Sequence, residues 1–85
     1  MRGETSEACR LFREALRLDP KETNVRAALG SLLLRLDRWD EARVELKRVV
    51  QEVPEQIVAH YNLGLVYGRL NRPEEAHHQF ELASN

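Results

Sequence analysis

Glu41-Ala42, with Leu46 four residues after the alanine, is written three times in this chain. Glu7-Ala8 and Phe12 stand 34 residues before it, Glu75-Ala76 and Phe80 stand 34 residues after it, and no insertion or deletion is needed. The surrounding residues keep the same interval. Ala15 returns as Val49 and Ala83, Pro20 as Pro54, Leu29-Gly30 as Leu63-Gly64, Leu33 as Tyr67 and Leu36 as Leu70. A fixed period of this length marks a stack of copied supersecondary units, each burying its apolar face against the next.

Each unit reads as two helices. Val25, Leu29, Leu32, Leu33 and Leu36 fall at steps of three and four, as do Ala59, Leu63, Val66, Tyr67 and Leu70 in the next copy. Trp39, Ala42, Leu46, Val49, Val50 and Val53 form the stripe of the second helix. Helical spacing fits these sets and strict alternation fits none of them. The pattern predicts helices at 6–18, 22–36, 39–53, 56–70 and 73–83. Asp19-Pro20 and Val53-Pro54 close the second helices, because proline disfavours helical geometry in the residue before it. Gly3, Asp37 and Asn71 occupy the place of the tight turn within a unit, and these residue types tolerate the left-handed conformation that ends a helix. Pro73 suits the first turn of a helix, where its missing N–H costs nothing.

Gly30 and Gly64 sit in mid-helix, where glycine costs about 1 kcal/mol relative to alanine. The same cost at the same place in two copies points to packing. Ala42 and Ala76 stand opposite in the pattern, so the expectation is close contact of backbones at Gly30/Ala42 and at Gly64/Ala76.

Thirteen basic and fourteen acidic side chains give a net charge of −1. The balance holds unit by unit, with no sustained basic excess of the kind that holds a nucleic-acid backbone or an anionic membrane. Aromatic residues are only 6% of the chain, which excludes a large aromatic core. Cys9 is the single cysteine and has no partner for an internal disulfide or a metal-ligand pair. A small apolar role on a helix is its expected one. No apolar run reaches membrane-spanning length and the first residues do not form a signal peptide, so a cytoplasmic setting is the default expectation.

A unit with Leu-Gly in its first helix, alanine in its second, a large apolar residue four later and a closing proline resembles the tetratricopeptide repeat. The resemblance runs over essentially the whole chain. It divides into one truncated copy with its second helix only (1–22), one complete copy (23–56) and one near-complete copy (57–85). Departures are present: Arg26 and His60 replace the family's first-helix tryptophan, Leu33 replaces a tyrosine in one copy, and the turn glycine survives only at Gly3. The resemblance implies an all-α fold, an α-solenoid of helix-turn-helix repeats stacked as a right-handed superhelix. Arrays of this kind rely on nearest neighbours and solvating caps. Phe80, Leu82 and Ala83 are therefore expected to be partly exposed, and the chain is expected to be a fragment of a longer array or a piece that self-associates through uncapped ends.

Chemistry for catalysis is missing from the sequence: no phosphate loop, no nucleophile motif and no metal-binding helix signature. The acidic pairs Asp40-Glu41 and Glu74-Glu75 fall in first turns, where they complement the helix dipole. His77 and His78 point about 100° apart on a helix and are poorly placed to share an ion. His60, His77 and His78 are expected to be surface or flank residues, and no cofactor is expected.

Binding is the function that the resemblance implies, on a concave surface lined by the first helix of each unit. Its candidates here are Asn24, Ala28, Ser31 and Arg35 from one copy and Tyr61, Asn62, Leu65 and Arg69 from the next. Arg35 and Arg69 would form a two-rung basic ladder, since arginine grips a carboxylate in a bidentate fork. The expected partner is a protein or peptide, acidic or ending in a free carboxylate. Arginine in a last turn also favours the helix dipole without any ligand. The chaperone-tail clamp of some family members is disfavoured, because only Asn62 matches its set and Ala28 stands where a second asparagine is implied. Two alternatives come from other classes. One is a structural or oligomerisation segment of a larger chain, enzymatic or not. The other is an RNA-binding helical repeat, against which the neutral charge and scarce aromatics weigh.

Overall fold

The computed structural model describes residues 2–84, with side chains from Ser6 onward. Among these residues are five α-helices and no strand: α1 (Arg2–Leu18), α2 (Thr23–Arg35), α3 (Trp39–Glu52), α4 (Ile57–Arg69) and α5 (Pro73–Ser84). The last four begin and end within one residue of the limits predicted from periodicity. The first does not. It runs through Gly3, which is helical and not in the left-handed region, so the turn expected there is not formed. Glycine permits a turn but does not impose one.

The other two turns are made as the residue types foretell. Asp37 and Asn71 both adopt φ 60°. In each turn the next residue donates its N–H back to the preceding helix, Arg38 to the Leu33 carbonyl at 2.9 Å and Arg72 to the Tyr67 carbonyl at 2.8 Å. Asp37 and Asn71 themselves donate to Leu34 (3.1 Å) and Gly68 (3.2 Å). This double closure satisfies the free carbonyls of a helix end and fixes where the chain reverses. The proline junctions also repeat. Asp19 and Val53 donate to Ala15 and Val49 at 2.9 and 2.8 Å as the last helical bonds, and Glu22 and Gln56 donate to Asp19 and Val53 at 3.2 and 3.1 Å.

Contact is densest within the hairpins α2–α3 and α4–α5, then between α3 and α4, then α1 and α2. The core between them is aliphatic. Leu29, Leu33, Leu46, Val49, Leu63 and Val66 are fully buried, each contributing about 1.5–3 kcal/mol of burial. Cys9 is buried with them. The thinnest dimension of 16 Å matches two helix layers with axes about 8–10 Å apart. The layers are unequal. The backbones of α2 and α4 touch directly, whereas those of α1, α3 and α5 stay apart from one another. Long side chains bridge that wider side, Arg13 reaching Glu41 at 3.5 Å and Glu45 at 3.9 Å.

The two mid-helix glycines meet a different partner from the one expected. A Cβ on Gly30 would lie 2.7 Å from Cγ and Cδ2 of Leu46, and one on Gly64 would lie 2.5 Å from Cε1 of Phe80. Glycine thus makes room for the large residue of the second helix, and not primarily for Ala42 or Ala76. Helical side chains lean toward their own N-terminus, so Leu46 covers the surface one turn back, beside the buried Ala42. Gly68 is exposed and would find nothing within 4 Å of a Cβ.

Three alanine substitutions separate these environments. Gly68→Ala should stabilise the fold by about 0.5–1 kcal/mol, the ordinary helix gain. Gly30→Ala should destabilise it, because overpacking of about 1–3 kcal/mol against the fully buried Leu46 outweighs that gain. Gly64→Ala should fall between them, since the Phe80 ring is 36% exposed and can swing outward. Urea unfolding of the three variants checks the order, and a Gly30→Ala protein as stable as the parent would refute the seat.

Candidate partner-binding surface

Two polar residues buried at equivalent places hold each first helix to its hairpin. Arg26 on α2 donates from Nη1 to Glu45 Oε1 of α3 at 2.8 Å and from Nη2 to the Pro20 carbonyl at 2.8 Å. One period later His60 on α4 does the same work. Its Nε2 lies 2.7 Å from the Pro54 carbonyl and its Nδ1 lies 2.7 Å from Oε1 of Gln79 on α5. The Pro54 carbonyl can only accept, so Nε2 carries a proton. Arg26 and His60 are 8% and 6% exposed. His60 is therefore a core residue and not the surface or flank residue expected from the sequence, and both its ring nitrogens are engaged. The signal was available: 26 and 60, like 45 and 79, are one period apart, so two polar pairs recur in register. Arg26 Nε remains without a partner.

His77 and His78 are exposed, and among the described residues no group of three side chains could hold a metal ion. No described helix is long and apolar enough to cross a membrane. Surface ion pairs are mostly within one helix, such as Arg10–Glu7 and Arg17–Glu14. Glu52 is held below the usual carboxylate range by its hydrogen bond from Arg48 and then by that from Thr23, the latter at 3.0 Å and joining the start of α2 to the end of α3.

Four of the eight candidate residues line two hollows, and the other four line neither. Ala28, Ser31 and Arg35 come together beside Leu32, facing Ala8 and Phe12 of α1, around a hollow of about 350 Å³. Tyr61 stands at the other end of the molecule, in a hollow of about 550 Å³ with Ile57, Val58, Phe80, Ala83 and Ser84. The rings of Tyr61 and Phe80 meet there with centroids 5.7 Å apart and planes tilted by 49°. Phe80 and Leu82 are 36% and 38% exposed and Ala83 is half-buried, the partial exposure expected from the sequence. Asn24 and Arg69 are exposed and Asn62 and Leu65 half-buried, and none of the four lines either hollow. Among the described residues, neither Arg35 nor Arg69 has a carboxylate within ion-pair distance.

Comparison with known proteins agrees with this architecture. Family models of the tetratricopeptide repeat match residues 1–60 and 57–81. Protein O-mannosyl-transferase F38B6.6 of Caenorhabditis elegans is 28% identical over 80 residues, which are 94% of this chain and 12% of that protein. The crystal structure of MamA superposes with a TM-score of 0.88 at 22% identity, over 94% of this chain and 47% of that one. The chain thus spans about one eighth of the first protein's length and about half of the second's.

The Arg26–Glu45 pair makes a stability prediction. Its side chains are 10% and 15% exposed, so Arg26→Ala should cost about 3 kcal/mol by leaving Glu45 partly buried without its main counter-charge. Replacing both, Arg26→Leu with Glu45→Leu, should recover most of that loss. Denaturant titration of the singles and the double checks this, and single variants losing less than about 1 kcal/mol would reduce the pair to a surface contact.

Proposed function

Because the chain belongs to the tetratricopeptide repeat family, whose members generally mediate contacts between proteins, we propose that it is a non-catalytic interaction scaffold that receives a partner along α2 and α4. The observation that supports this most is the unequal layering. Backbones that touch on one side and stand apart on the other bend the stack, and α2 and α4 lie inside the bend. Residues 1–22 then serve as a second helix only, 23–56 as a whole unit and 57–85 as a nearly whole one. Asn24, Ala28, Ser31 and Arg35 of α2 and Tyr61, Asn62, Leu65 and Arg69 of α4 are the groups offered on this side. Among the described residues Arg35 and Arg69 have no carboxylate partner, and the class of ligand they favour is an extended peptide bearing acidic groups or a terminal carboxylate.

A second reading is favoured by length. A relative of which this stretch matches only 12% fits a structural or oligomerisation segment of a larger chain, enzymatic or not. The apolar hollow around Tyr61 and Phe80 is then an internal joint, and the isolated segment associates in proportion to its concentration by light scattering.

Selection from a displayed library of peptides with free C-termini tests the first reading. Acidic or carboxylate-terminated sequences should be enriched. Arg35→Ala and Arg69→Ala should each weaken the selected peptide by about 1.5–3 kcal/mol, roughly ten- to hundredfold, with binding that falls as salt is added. Enrichment without acidic character, or affinities untouched by both substitutions, would reject it.

A further inference from the structure

On the α1/α3/α5 side of the stack one ion-pair arrangement is completed in the first groove and only half made in the second. Between α1 and α3, Glu41 holds two arginines: Arg38 of its own turn at 3.0 Å and Arg13 from across the groove at 3.5 Å. Arg13 also reaches Glu45 at 3.9 Å. Its side chain stays 45% exposed, so in this fold the groove is bridged by side chains and not covered by a further helix. One period later, between α3 and α5, Glu75 holds Arg72, the counterpart of Arg38, at 3.7 Å. The counterpart of Arg13 is Lys47, which is exposed and forms no ion pair among the described residues. Gln79 stands in the place of Glu45, and its Oε1 is engaged by His60.

Beside Glu75 is a hollow of about 340 Å³ lined by Tyr67, Glu74, Glu75, His78 and Gln79. Tyr67 replaces the Leu33 of the preceding unit. It is 5% exposed, yet its hydroxyl has no hydrogen-bond partner among the described residues. Burial, and then the charge of Glu75, raise its pKa above the ordinary tyrosine value, so the hydroxyl stays protonated and can both donate and accept. Glu74 is exposed and has no ion-pair partner among the described residues. Arg43, the other cation that acts on Tyr67 besides Arg72, pairs with Asp40 at 3.5 Å.

We propose that this hollow receives one arginine side chain of a partner protein, which makes to Glu75 the second contact that Arg13 makes to Glu41. A guanidinium has five donors and no acceptor, and Glu74, Glu75 and the Tyr67 oxygen are acceptors for it. Its planar fork suits carboxylates side by side better than a compact ammonium does, and it is the more weakly hydrated cation. The described residues offer no three-ligand set for a metal ion, so the cation that fits is an organic one.

The site lies away from the α2/α4 face and is tested apart from it. Acetyl-arginine amide and its uncharged isostere acetyl-citrulline amide are titrated into the chain, followed by NMR. The arginine probe should bind in the millimolar range, as the contacts of one side chain allow, shift the signals of Tyr67 and His78, and outbind the citrulline probe at least tenfold. Tyr67→Phe and Glu74→Gln should each weaken it by about two- to tenfold. Lys47→Arg, which writes the Arg13 bridge into the second groove, should compete with the probe and weaken it by a similar factor. Glu74 and Lys47 are exposed, so these two variants report on the site even where Tyr67→Phe loosens the core, and circular dichroism checks the fold of all three. Arg69→Ala should leave probe binding unchanged, so failure here would not count against the extended-peptide face. No saturable shift at Tyr67 and His78, equal affinity for the two probes, or an affinity untouched by both Glu74→Gln and Lys47→Arg would each overturn the proposal.

Discussion

A leucine or phenylalanine driven against a glycine backbone sets the spacing of every hairpin here. Gly30 and Gly64 cost their helices about 1 kcal/mol each in intrinsic preference. In return Leu46 reaches zero exposure and the aliphatic core closes around it. The two seats are not equally tight, because their surroundings differ. Leu46 has a further helix, α4, beyond it, whereas Phe80 forms part of an open apolar hollow and keeps a third of its surface in solvent. Burial in a stack depends on the unit's neighbours as much as on its own sequence.

Turns and helix limits were legible because they are decided locally. Asp37 and Asn71 are residue types that accept φ 60°, and Pro20 and Pro54 stand two residues past the ends of α1 and α3, where proline bars a further helical turn. The misreadings are all matters of neighbourhood. Gly3 looks like a turn residue, yet it lies in helix. Gly30 was matched to Ala42 by register, but the lean of Leu46 along its helix put a larger side chain in the gap. Arg26 and His60 looked like drift at a family position, and His60 like a surface residue, though each is buried beneath a proline carbonyl that only the folded junction supplies. Helix phase alone also cannot tell which crevice a residue borders. Ala28, Ser31 and Arg35 share one, and Tyr61 lines another at the opposite end.

The pairs 26–45 and 60–79 show one geometry carrying two chemistries. In the first an arginine faces a carboxylate, and in the second an imidazole faces an amide. Both join the fourth residue of a first helix to the middle of a second helix and to the loop behind it. A mismatched pair leaves a buried polar group unsatisfied, which costs more than the pair itself gains. Such contacts therefore discriminate between units that are otherwise close copies, and they help keep each first helix with its own second helix.

Among the described residues no contact ties the first helix to the last; each helix meets only the next one or the next but one. Contact order is consequently low, and chains of this kind fold within roughly microseconds to milliseconds. Nothing has to thread or close over a distance. The same arrangement lets unravelling begin at either extremity and proceed by whole hairpins, so a mechanical load on the termini would be released in instalments and not in one rupture.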